Sequence, residues 1–172
     1  MEETVESSKR IVAKLVKKSF PLLKGRKINI FESKRPKGTA DTRSWPGWSR
    51  IRLSPDTKSL TEEQLIGVLA HELCYIEWYC EVGFLRYLWF MEVIAKTSRE
   101  AIKADERATD MKAIDKGYGA QLYAHRVLRY KNRGPRFEER KDLYLSPEEI
   151  VEHMKSKDMT IDFELDHLTL LS

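Results

Sequence analysis

Thr61-Glu62-Glu63-Gln64-Leu65-Ile66-Gly67-Val68-Leu69-Ala70-His71-Glu72-Leu73-Cys74-Tyr75-Ile76 is the stretch whose reading decides the fold. Thr61 followed three residues later by Gln64 is a capping box, so a helix starts here. Leu65, Ile66, Val68, Leu69, Leu73 and Ile76 give that helix its apolar side. Positions 71 and 75 then fall one turn apart on one face. Two imidazoles so placed grip one metal ion, and a glutamate directly after the first reaches the water that the metal activates. Such a water needs the metal to lower its pKa and a carboxylate to take its proton. Here the residues are His71, Glu72 and Tyr75, so only one imidazole is present. A His-Glu pair alone also fits a partly buried histidine beside a surface acid.

A second element lies downstream. Asp105-Glu106-Arg107-Ala108-Thr109-Asp110 puts Glu106 and Asp110 one helical turn apart. Glu106 can ligate a metal from this second helix, and Asp110 can accept a hydrogen bond from the far nitrogen of His71 and fix its tautomer. A solvated acidic face is the plainer alternative. Zinc bonds near 2 Å predict about 3–4 Å between the ligating atoms of His71 and Glu106.

Together, Val68-Leu69-Ala70-His71-Glu72-Leu73 and the later Glu106-Arg107-Ala108-Thr109-Asp110 resemble the gluzincin metallopeptidases. In size the chain is most similar to their compact single-domain prokaryotic members, the minigluzincins. The similarity covers roughly residues 48–118. The resemblance implies one zinc ion with His71 and Glu106 as ligands, Glu72 as general base and Asp110 behind His71. It also implies a sheet whose edge strand, around 48–53, holds a peptide or protein substrate in extended form. The family has histidine where this sequence has Tyr75. A neutral phenol, with a pKa near 10, is a poor ligand, so the implied hydrolysis of peptide bonds is impaired or latent. The alternative is an inactive relative that keeps the groove as a peptide- or protein-binding module. Cys74 lies near the same face and a thiolate is a good zinc ligand; a small core residue is its other reading. His125 would need its helix to fold back, and His153 and His167 read as surface residues.

The rest of the chain is organised around that pair of helices. An amphipathic helix is predicted over 7–23 and strands over 27–33 and 48–53, with a loop between them that holds Gly38, Pro46 and Gly47. Trp45 and Trp48 flank this turn and either pack over the sheet edge or wall a groove. A buried helix is predicted over about 84–96. Thr97-Ser98-Arg99-Glu100 starts the next helix, which stops at Gly117, and another spans 119–132. Ser146-Pro147 opens a short helix to about Lys155. Met159, Ile161, Phe163 and Leu165 then alternate with Thr160, Asp162, Glu164 and Asp166, the pattern of a half-buried strand. This tail, Thr160–Leu168, is a candidate to occupy the substrate groove. The expected fold is α+β: a small sheet with a zincin-like active-site helix and glutamate helix over 1–134, extended by C-terminal helix and tail over 135–172.

Composition narrows the function classes. Hydrophobic residues make up 41% of the 172, enough for a core, and the net charge is only +4. That is a mild basic bias and argues against a dedicated nucleic-acid binder, although Arg126 to Lys141 is a basic run. Cys74 and Cys80, about 9 Å apart along one helix, point in different directions, which excludes a disulfide and fits a reducing cytoplasm. Val82 to Ala95 is the most apolar stretch, but it contains Arg86 and Glu92 and is too short to span a bilayer.

Overall fold

The computed structural model describes residues 2–34, 38–94, 98–132 and 135–159. Helix α1 is Glu2–Ser19. It ends where Phe20 meets Pro21, because the residue before a proline is disfavoured in helical conformation; a single 3-10 turn, Pro21–Leu23, follows. The strands are β1, Lys27–Glu32, β2, Ala40–Trp45, and β3, Trp48–Leu53. They form one sheet in the order β1-β3-β2, with β1 parallel and β2 antiparallel to β3. The segment 48–53, expected at an edge, is therefore the central strand, and β2 takes the edge that was expected to be loop. Ala40-Asp41-Thr42-Arg43-Ser44-Trp45 has no apolar alternation. Its place comes from backbone pairing with β3, a two-residue turn with Gly47 at φ 80°, the Asp41–Arg52 pair at 2.7 Å and the stacked rings of Trp45 and Trp48, 4.3 Å apart.

Helix α2, Glu62–Val82, carries the Thr61–Gln64 capping box at its start. It crosses the sheet and buries Leu69, Leu73 and Ile76 against Ile30, Ile51 and Leu53, with Ile11, Val12 and Leu15 of α1 completing the core. Helix α3, Phe84–Trp89, runs into one π-type turn over Phe90–Ile94. It was expected to be buried and is not. Tyr87 is covered, but Leu85 is 79% and Trp89 59% exposed. Hydropathy marks a residue as apolar without saying what covers it, and α3 touches the body along one side only. Among the described residues no helix is long and apolar enough to cross a membrane.

Helix α4, Arg99–Ala113, is capped by Ser98, whose hydroxyl accepts from Ala101 N at 3.1 Å. The chain kinks at Gly117, φ 89°, and returns as α5, Gly119–Lys131. After the short α6, Pro135–Glu138, α7 spans Pro147–Ser156 with its own capping box. Leu145, Ile150 and Met154 bury themselves against Ile114, Leu122 and Val127. Residues 143–159 are thus packed onto α4 and α5 rather than hanging from them. The strand expected from Met159 onward lies, beyond Met159, outside the described residues.

Gly67 is what lets α2 and α5 approach so closely. A β-carbon at position 67 would collide with the backbone of Gln121 and Leu122. In an open helix Gly→Ala gains up to about 1 kcal/mol, whereas forced overpacking costs about 1–3 kcal/mol. Because the obstacle is backbone, the second term wins. Gly67→Ala is expected to lower the thermal unfolding midpoint; an unchanged or higher midpoint would show that the two helices separate freely.

Candidate functional site

The site forms where α2, α4 and α5 meet. His71 and Glu72 come from the middle of α2 and are both nearly buried. Glu106 and Asp110 come from α4. His71 Nε2 stands 3.3 Å from Glu106 Oε2, inside the 3–4 Å expected for two ligands of one metal, and His71 Nδ1 is 2.8 Å from Asp110 Oδ1. Asp110 is wholly buried and saturated: Arg126 reaches both its oxygens at 2.9 Å, and the backbone N–H of Leu145 donates to Oδ2 at 3.0 Å. Buried carboxylates persist when paired and bonded in this way. The carboxylate also fixes the imidazole, since Nδ1 donates to it and leaves Nε2 facing Glu106.

The electrostatics follow from this packing. Burial pulls the His71 imidazole down, but its bonds to Asp110 and Glu106 outweigh that and raise it from 6.5 to about 10. Burial pushes Asp110 up, yet the charge of Arg126 and the bond to His71 hold it well below the usual carboxylate range. Burial raises the Glu72 carboxyl to about 7, against the opposing charge of His71. A metal ion would therefore have to displace a proton from His71 Nε2.

Tyr75 occupies the place one turn after His71, with its ring edge-on to the imidazole at 5.3 Å. Burial, and the charges of Glu106 and Asp105, hold its phenol well above 10, so it stays protonated and hydrogen-bonds toward Asp105 and Glu106. Cys74 does not join the cluster. It packs in the core beneath α2, and burial pushes its thiol up to about 12. Among the described residues no three His, Cys, Asp or Glu side chains converge as a metal-ligand group. His153 pairs with Asp115 at 3.0 Å and lines neither cavity at this cluster, and His167 lies outside the described residues.

Three further residues reach the site: Tyr144 and Arg126, which the sequence did not bring there, and His125, whose helix does fold back onto α2. Tyr144 donates to Glu106 Oε1 at 3.2 Å and accepts from Arg140 at 2.9 Å. Arg126, the first residue of the basic run, is buried, with its guanidinium 4.3 Å over the Tyr144 ring. His125 is buried too. Its Nε2 lies 3.2 Å from Thr39 Oγ1, while Nδ1 has no hydrogen-bond partner among the described residues. A charge placed between Leu122 and Val127 on an apolar helix face was the only sequence signal for Arg126; Tyr144 had none.

Two cavities open at the cluster. One, of 30 Å³, lies between His71, Glu72, His125 and Tyr144 and has room for about one water molecule. The other, of 360 Å³, is a groove bounded by Asp41 and Thr42 of β2, Tyr87, Phe90 and Met91 beyond α2, and Glu106 and Leu143 opposite. Protein-family models, curated proteins and solved structures give no match to this chain.

Proposed function

We propose that this chain is a zincin-type metallopeptidase with an impaired metal site, which holds an extended peptide along the outer edge of β2 beside His71 and Glu72. The observation that supports this most is the 3.3 Å approach of His71 to Glu106 across two helices, with Asp110 on the other ring nitrogen. Two donors about 2.0–2.1 Å from one zinc ion at a tetrahedral angle stand about 3.3 Å apart. His71 and Glu106 therefore fit that ion. Tyr75 fits it poorly, since a phenol held above its ordinary pKa resists ionisation. The donor set suits a weakly held zinc, which when bound supplies Lewis acidity to water and to a peptide carbonyl.

The chain's own residues account for the rest of the chemistry. Glu72, at about 7, is matched to accept a proton from water near neutral pH. The small cavity beside it gives that water its place. Asp110 and Arg126 hold the imidazole of His71 in register, and Tyr144 and Arg140 restrain the outer oxygen of Glu106. The edge of β2 offers backbone groups to an extended peptide, and Tyr87, Phe90 and Met91 line the groove for its apolar side chains.

Zinc affinity tests the metal reading. Losing ligand support costs roughly 10–100-fold in affinity, so competition against a chelator should show Tyr75→His binding zinc at least about tenfold more tightly than the present chain. Equal affinities would remove position 75 from the metal site. A second reading, a groove that binds peptides without cleaving them, is favoured by the absence of a three-donor group among the described residues. A zinc-loaded Tyr75→His chain that binds peptides and cleaves none would establish it.

A further inference from the structure

Side chains of a strand alternate between the two faces of its sheet. Ile28, Ile30, Ile51 and Leu53 point to α2 and the core, so the residues between them point away from it. Register then sets Lys27 beside Trp48 and Trp48 beside Trp45 on that outer face. Arg50 stands beside Arg43, and Phe31 beside Arg52. Phe31 and Trp48 are exposed. They stand four residues apart in register, about 13 Å along the strands, with Arg50 between them.

The charges on this face do not cancel. Arg52 is forked onto Asp41 at 2.7 and 2.8 Å, and that pair neutralises itself. Lys27, Arg43 and Arg50 have no carboxylate partner among the described residues. Arg50 lies over the Trp45 ring at 5.1 Å, and its Nε has no hydrogen-bond partner among the described residues. The stack of Trp45 on Trp48 ties the turn between β2 and β3 together. That role accounts for the two tryptophans; it accounts neither for the exposed Phe31 nor for three uncompensated cations.

We propose that the outer face of the sheet binds single-stranded nucleic acid, with bases stacking on Trp48 and Phe31 and phosphates held by Lys27, Arg43 and Arg50. Every base has a π-face, so exposed rings on a strand platform accept bases of any identity. A guanidinium forks onto phosphate oxygens and itself stacks on rings. Other anionic partners fit less well. An acidic peptide would meet the cations and leave the rings unused, and a lipid surface takes up a continuous apolar face, whereas here a cation separates the rings. The net charge of +4 is an average over the whole chain and does not show this local concentration. His71 and Glu72 lie on α2, across the sheet, so this binding is independent of zinc and of the peptidase reading.

Fluorescence anisotropy of a labelled deoxythymidylate dodecamer, titrated with the full chain in the presence of a chelator, tests this. Arg43→Glu with Arg50→Glu should weaken binding at least about thirtyfold. Trp48→Ala with Phe31→Ala should weaken it at least about tenfold. Should Trp48→Ala lower the thermal midpoint, Phe31→Ala alone carries the test, with a loss of at least about fivefold. One phosphate on each of three cations predicts a slope of about −2 in log affinity against log salt. Lys14→Glu with Lys18→Glu, on the exposed side of α1, removes the same charge elsewhere and should cost less than about threefold at about 0.15 M salt. A uridylate dodecamer should bind like the deoxythymidylate one, because the face reads bases and phosphates. Equal losses in the two charge-reversal pairs, or equal affinity for a duplex of the same length, would reduce the binding to net charge and overturn the proposal. So would binding untouched by the loss of Phe31 and Trp48, or a parent chain that binds neither dodecamer.

Discussion

Glu72→Gln, in a Tyr75→His background loaded with zinc, is expected to lose at least about 100-fold in peptide hydrolysis while binding zinc as before. Glutamine keeps the shape and the burial of the side chain, and Glu72 projects about 100° around the helix from His71, so the His71–Glu106 approach is untouched. What disappears is the capacity to take a proton. The pH profile of the parent should carry the same signature: its rate falls on the acid side, as the Glu72 carboxyl, which burial raises, becomes protonated. Full activity in Glu72→Gln, with zinc content unchanged, would assign the base to another group.

Arg126→Met should destabilise the fold by about 3–5 kcal/mol, the scale for leaving one partner of a buried ion pair uncompensated. At roughly 2–4 °C per kcal/mol for a chain of this size, thermal midpoints should separate by about 6–20 °C. Methionine preserves much of the packing on Tyr144, so the loss isolates the charge. Asp110 is the group exposed by the change. Its folded-state pKa is depressed, so the stability it contributes is present above the ordinary carboxylate value, about 3.9, and is lost as pH falls below that. The gap between parent and variant is therefore expected to be wide at pH 7 and to narrow near pH 3. Equal midpoints at pH 7 would show that the pair stabilises nothing.

The legible parts of this fold are those written in local spacing. The start of α2 follows from Thr61 and Gln64, α7 from Ser146 and Pro147, and the approach of His71 to Glu106 and Asp110 from residues one turn apart on two helices. β2 was not legible, because an edge strand held by backbone pairing needs no apolar alternation. Helix α3 was read as buried from composition, which does not tell how few neighbours meet it. Arg126, His125 and Tyr144 arrive from segments whose relation to α2 exists only after α5 has folded back. Cys74 illustrates the converse: it is near His71 in sequence, but its side of the helix belongs to the core.

The saturated carboxylate of Asp110 also bears on the order of assembly. Its partners stand 39 residues earlier, 16 residues later and 35 residues later in the chain. Helices α2 and α4 can each propagate from their own caps, but this node closes only after three separate loops have been shut, each with its own entropy cost. The alignment of the His71 imidazole thus requires the packing of α2, α4 and α5 and the segment at Leu145, not the first turns of its own helix, and a chain with all its helices formed can still lack its site.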